Sequence, residues 1–372
     1  MSAFKKIFIF TTISFVIIIM LIGSISKSLA INLNGAPIIP VKVAVFQSRE
    51  DDQYNIEVRK SLEEIQKENK GKVEFTFFDG KGNQVIQNES IYEAIDDQFN
   101  LFVINLVDTK VDTISDVINK IEKNNIPLIL DGTPNKDILN FITPYKSIVF
   151  LGTDTEQSGV LEGKIIVDSW NANKGVIDKN KDDILQYIML QGKIDHPGTI
   201  DRTKYSISTI NDAGIKAQEL AIQSCNWDEE CARASIDSLF LRYGNNVEAI
   251  IANNDAMAIG AVKALQKYGY NKGDKNKNAL VVGIDAIPEA MELVDKGFMT
   301  GTVIQDASAE AQAIYSVGMN LVKGKDPLEG TKYKFDDNRI LRMPYREYVK
   351  WIRIWRILIL EGYLRELHLE LD

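Results

Sequence analysis

The chain has 372 residues, 45% of them apolar, which is enough for two packed domains. Its net charge of −9, with no basic stripe along it, excludes a phosphate-backbone partner, so no nucleic acid is expected. Only two His and two Cys are present, which argues against a zinc site and against most His-based catalysis.

At the N-terminus, Lys5 and Lys6 precede an apolar run from Ile7 to Ile22, and Ser28-Leu29-Ala30 offers small residues for cleavage. Residues 1–30 therefore read as a signal peptide that delivers the chain to the periplasm. The competing reading is an uncleaved anchor, which would make the protein a membrane-tethered sensor. Next come "VKVAVF" (41–46), an amphipathic stretch with Ile56, Leu62 and Ile65 on one face, "KVEFTFF" (72–78), "LFVINL" (101–106) and "IPLIL" (126–130). Further on lie "ILQYIML" (184–190), "VEAIIA" (247–252), "ALVVGI" (279–284) and "TGTVI" (300–304), each separated by helical sequence. Strands alternating with helices predict an α/β fold with parallel sheets covered on both faces. Their number exceeds one comfortable open sheet, so two lobes are expected.

In such sheets a ligand sits beyond the carboxyl ends of the strands. The polar residues there are Asp52 and Tyr54, Asp131, His196, Asn254 and Asp255, Asp285, and Gln305. Carboxylates and amides suit a ligand covered in hydroxyls, each of which donates and accepts at once. The same residue types are also ordinary turn-formers at strand ends.

"DKNKDDILQ" (178–186) places Asp178, Asn180 and Asp182 at alternate positions, with Ile184 and Gln186 after them. This spacing is that of an EF-hand calcium loop, with side-chain oxygens at positions one, three and five, the Ile184 carbonyl at seven and Gln186 at nine. Position six is Asp183, which tolerates a left-handed backbone better than most residues. The twelfth position is Met189 where a Glu would close the cage, so the closing ligand must come from elsewhere. A surface turn that binds nothing is the plainer alternative, and Lys179 and Lys181 would suit it.

Several stretches resemble the periplasmic galactose/glucose-binding proteins, the sugar receptors of ABC transport and chemotaxis. They are "INLVD" (104–108), "LGTDTEQSGVLEGK" (151–164), the 178–186 loop, "GKIDHP" (192–197), "VEAIIANNDAMAIGAVKAL" (247–265), "VGIDAIPEAMELVDKG" (282–297) and "GTVIQDA" (301–307). The resemblance implies a type I periplasmic binding protein fold, in which two Rossmann-like lobes joined by a three-crossing hinge close on one sugar. The crossings are expected near Val149 to Leu151, near Val303 to Gln305, and between Phe335 and Arg339. That makes residues 41–149 with 305–336 the N-terminal lobe and 150–304 with 337–345 the C-terminal lobe.

By the same resemblance, Asp52 would hold a sugar hydroxyl, and Tyr54 and Trp227 would cover the two faces of the ring. His196, Arg202, Asn254 and Asp285 match sugar contacts of the family, and Glu248 matches the residue that closes its calcium cage. Three positions depart: Asp131 and Gln305 stand where the family has Asn, and Gly198 where it has Asp. The expected ligand is therefore a hexose or glycoside rather than galactose in particular. The implied protein is a non-enzymatic monomer with a structural Ca2+, serving an ABC transporter permease and a chemoreceptor.

Two features are left open. Cys225 and Cys231 in "SCNWDEEC" can pair in an oxidising compartment, but a helix starting at Trp227 would hold them too far apart. Residues 346–372 form an atypical apolar tail, read either as an amphipathic helix that touches a membrane or partner, or as an altered terminus.

Overall fold

The computed structural model describes residues 39–350. The readings made of residues 1–30 and of 351–372 lie outside the described residues. The chain runs β1 (Val41–Gln47), α1 (Gln53–Glu68), β2 (Val73–Asp79), α2 (Gln84–Asp96), β3 (Leu101–Asn105), α3 (Val111–Lys123), β4 (Leu128–Gly132), α4 (Lys136–Ile142) and β5 (Ile148–Thr153). It continues with α5 (Thr155–Ile177), β6 (Ile184–Gln191), α6 (Pro197–Asp212), β7 (Lys216–Ser224), α7 (Glu229–Tyr243), β8 (Ala249–Ala252), α8 (Asp255–Lys267), β9 (Leu280–Asp285), α9 (Pro288–Lys296) and β10 (Gly301–Ile304). Last come α10 (Ala307–Val322), β11 (Ile340–Met343) and β12 (Arg346–Val349). No helix among the described residues is long and apolar enough to cross a membrane.

Two six-stranded sheets form, in the orders β11-β5-β4-β3-β1-β2 and β12-β10-β9-β8-β6-β7. The first is parallel throughout; in the second only β12 runs antiparallel, against β10. The period of two along a strand sorts its side chains between two cores. In β1, Ala44 and Phe46 pack with Ile91 of α2, Ile114 of α3 and Ile138 of α4, while Val43 and Val45 face Leu62 of α1 and Ile314 of α10. On α1 the buried stripe is Asn55, Val58, Leu62 and Ile65, one turn-spaced face, with Ile56 only half-buried beside it. The second sheet is covered likewise, by α7, α8 and α9 on one face and α5 and α6 on the other.

Strand pairing moves two of the expected crossings. β5 runs unbroken to Thr153, bonded to β4 on one side and β11 on the other, so the chain leaves lobe one after Thr153 rather than at 149–151. Residues 340–343 were expected in lobe two, yet they are β11 of the first sheet. The polar turn at 335–339 is a tight reversal, in which Asp336 accepts the backbone N–H groups of Asn338 and Ile340 and Arg339 takes φ of +59°. The last crossing is therefore Pro344–Tyr345, and residues 346–349 are not tail but β12 of lobe two. The middle crossing lies at Gln305–Asp306, between β10 and α10.

Candidate functional site

A cavity of about 490 Å³ opens where the carboxyl ends of the two sheets face each other. Asp52, Tyr54, Asp131, His196, Arg202, Trp227, Asn254, Asp285 and Gln305 all line it. Asp255 lies deeper, wholly buried, where its carboxylate accepts the Thr302 hydroxyl at 2.7 Å and the Ile287 N–H at 3.0 Å. Strand ends feed helix starts here, so a lining residue and a helix cap are one object. Asp52 caps α1, His196 caps α6 and Asn254 caps α8. The turn-former reading and the cleft reading are both true of these three.

Arg202 organises the wall of lobe two. Its Nη1 donates to the Asn253 carbonyl at 2.7 Å; its Nη2 donates to Gln305 Oε1 at 3.0 Å and to the Tyr345 hydroxyl at 3.2 Å. Asp285 Oδ1 stands 4.0 Å from Nη1, and the guanidinium lies 5.8 Å from the centre of the Trp227 ring. His196 meets the same indole edge-on, at 5.5 Å between ring centres. Burial, with Arg202 and Lys193 nearby, pushes the His196 imidazole down to about 4, so it is neutral at pH 7. Its Nδ1 accepts the Gly198 N–H at 3.1 Å.

The loop that carries Trp227 is held under strain. Asn226 and Trp227 take φ of +49° and +68°, a conformation rare for side chains of this bulk. The Asn254 amide donates to the Trp227 carbonyl at 3.3 Å. Cys225 and Cys231 are disulfide-bonded across the loop, with their Cα atoms 5.4 Å apart. The pairing is feasible because α7 begins at Glu229 behind an Asp228 cap, two residues later than the start that would have separated them.

On lobe one, Glu310 of α10 lines the cavity and accepts the Tyr54 hydroxyl at 2.7 Å, and Asn105 donates to Asp131 at 3.1 Å. Burial raises Glu310 well above the usual carboxylate range, and Asp131 to about 7. At the rim the lobes touch: Arg49 Nη1 donates to the Asn226 carbonyl at 3.1 Å, and Lys110 lies 3.7 Å from Asp195. Asn105 and Thr153 end strands and could have been found by the strand-end rule; Glu310, one turn inside a helix, carries no such mark.

Residues 178–186 do not line this cleft but are drawn together with Glu248 as a second polar centre. The Glu248 carboxylate accepts the N–H of Lys179 at 2.9 Å and of Gln186 at 3.1 Å. Asp178 Oδ1 and Asn180 Oδ1 both accept the Asp182 N–H at 3.1 Å, and Asp182 Oδ1 accepts that of Ile184 at 2.9 Å. Asp183 takes φ of +61°, the left-handed geometry that position six of such a loop requires. Gln186 Oε1 is a buried acceptor with no protein partner, an oxygen of the kind a cation shell uses. Among the described residues no three His, Cys, Asp or Glu side chains close into a ready-made cluster, so amide and backbone oxygens would have to complete the shell.

Comparison with known proteins agrees with this geometry. A family model described as a periplasmic binding protein domain matches residues 43–326. The D-galactose/methyl-galactoside binding periplasmic protein MglB of Haemophilus influenzae is 34% identical over 345 residues, 92% of this chain and 96% of that protein. A putative rhizopine-binding protein of Rhizobium meliloti is 26% identical over 308 residues, 82% of this chain and 91% of its own length. Among solved structures, an ABC transporter periplasmic solute binding protein from Actinobacillus succinogenes, with bound D-allose, superposes with a TM-score of 0.68 at 22% identity, covering 84% of this chain and 98% of that one.

Proposed function

The chain belongs to the periplasmic binding protein family, and from that premise we propose that it is a periplasmic receptor for a hexose or hexoside that feeds an ABC importer and serves a chemoreceptor. One observation carries the reading: a single cavity is walled by an aromatic side chain from each lobe, Tyr54 and Trp227, and rimmed by carboxylates and amides. Its volume lies within the range of small-ligand sites. Ring hydroxyls would bond Asp52, Asp131, Asn254, Asp285 and Arg202, while the aromatics cover the apolar faces. We read a binder rather than an enzyme, since the family model and the 34% identical relative are binding proteins and the lining carboxylates suit acceptors for hydroxyls. Lobe closure around the ligand is the signal a permease would recognise.

Calorimetric titration with D-galactose, D-glucose, their methyl glycosides, ribose and xylose tests the reading. Binding of at least one hexose in the micromolar range or tighter is expected. Silence from all six at millimolar concentration would sink it.

The loop of Asp178, Asn180, Asp182, Ile184 and Gln186, closed by Glu248, would hold a calcium ion through hard oxygen donors. A bound ion would tie the loop to the strand after Glu248, a structural role. Chelation is then expected to lower the melting temperature, because an ion that binds only the folded chain stabilises it by mass action. Purified protein that contains no calcium and melts identically with and without chelator would remove this assignment.

A further inference from the structure

We propose that the ligand of the cleft carries a protonated amine on its polyol ring, as in an amino sugar, and that Asp131 and Glu310 of lobe one receive it. The proposal rests on the sugar-receptor reading of the cleft and narrows the class of sugar.

The charges around the cavity are unevenly matched. Lobe two presents Asp285 with Arg202 4.0 Å from it, so there an acid and a cation are paired; the Arg202 Nη atoms donate to Asn253, Gln305 and Tyr345, and its buried Nε remains for the ligand. Lobe one presents Asp52, Asp131 and Glu310. Its lining cations are Arg49, whose Nε and Nη2 both bond Asp51 at 2.8 and 3.1 Å, and Lys81, exposed at the rim. Lys193, on the opposite lobe, is likewise at the cavity's edge and only half-buried.

Asp131 and Glu310 are 9% and 2% exposed, so water does little to screen either. Every donor they have is neutral: the Asn105 amide and the Gly132 backbone for Asp131, the Tyr54 hydroxyl for Glu310. Asp131 lies two residues beyond Ile129, on the face of β4 that α10 covers, and both carboxyls line the one cavity, so they belong to one cluster; burial, and then the charge of Asp131, raise Glu310. Two buried carboxyls in that relation do not both ionise unless a cation joins them. A ring hydroxyl brings no charge, so beside it the pair still has to keep a proton. An ammonium on the ring neutralises one charge, bonds both carboxyls as a three-proton donor, and completes what the protein has left out. The neutral His196 on the facing lobe adds no competing positive charge.

The test is calorimetry at pH 7 with D-galactosamine and D-glucosamine beside D-galactose, D-glucose and the two N-acetyl sugars, in which the amine is an uncharged amide. The amine is expected to bind at least tenfold more tightly than its neutral parent, and acetylation to abolish that gain. In Asp131→Asn and in Glu310→Gln, each first checked for cooperative melting, the ratio of amine to parent affinity is expected to fall at least tenfold. Equal or tighter binding of the neutral parent means the pair keeps a proton and serves an ordinary hydroxyl, which overturns the inference and leaves the receptor reading intact. If no sugar binds, charged or neutral, the receptor reading fails and the inference falls with it.

Discussion

Arg202→Ala is expected to lose ligand binding by at least a thousandfold and to destabilise the folded chain by about 3–5 kcal/mol, the usual result of removing one partner from a buried charge pair. Arg202 is 8% exposed, and it is the cation that lowers the pKa of Glu162, Asp255 and Asp285 around it. Glu162 of α5 is fully buried and neither of its carboxylate oxygens has a hydrogen-bond partner, so nothing else is placed to compensate it. Burial already holds Asp285 and Glu162 well above the carboxylate range and Asp255 at about 7. Without the guanidinium those values rise further. Folded-state pKa values above the unfolded ones mean the native chain binds the extra protons, so its stability falls as pH climbs from about 4 through 7. The deficit of the variant should therefore be smaller at pH 5 than at pH 7. Urea unfolding at the two pH values, with calorimetry on the best-bound sugar, measures both effects. A variant that binds normally, or whose deficit is the same at both pH values, would contradict the role given to Arg202. Arg202→Lys keeps the charge but loses the fork that spans Asn253, Gln305 and Tyr345, so it should recover part of the stability and little of the binding.

Gly192→Ala is expected to weaken binding by about tenfold or more, which corresponds to ~1.4 kcal/mol, without touching the ligand itself. A Cβ added at Gly192 would sit 2.2 Å from Cζ2 of Trp227 and 2.3 Å from Cε2 and Cη2. The indole has to move, and its backbone cannot move with it. The disulfide, the left-handed pair Asn226–Trp227 and the Asn254 contact all hold the loop in place. Ring displacement thus falls on the aromatic wall of the cleft, and overpacking of this kind costs about 1–3 kcal/mol of stability. Titration beside a thermal melt checks it. Unchanged affinity with a modest loss of stability would show that Trp227 does not cover the ligand.

The lobes and most of the cleft were legible because one rule links them: parallel strands end on the same side, so the polar residues after each apolar run converge. That rule, helped by the family resemblance for Arg202 and Trp227, assembled the wall now seen around the cavity. It failed where burial does not mark the element. β7, "KAQELAIQS", is an edge strand without a fully buried residue, and no apolar run announces it. Glu310 reaches the cleft only because the middle crossing returns the chain to lobe one just before α10, a fact of topology and not of local pattern. The last crossing was misplaced for a related reason. "FDDNR" has the composition of a linker, yet its side chains fold it back onto β11, while the real passage, Pro344–Tyr345, is two residues long.

The three passages between lobes share a location. They leave or enter β5, β10, β11 and β12, and in each sheet these are the last two strands at one border. The molecule is thus bound like a book along a spine, and pages so bound can swing but cannot slide or spin apart. Tyr345, set in that spine, touches both Gln305 and Arg202. A single opening angle should then describe the whole excursion, and one pair of distance labels across the far edge of the covers would be enough to follow it.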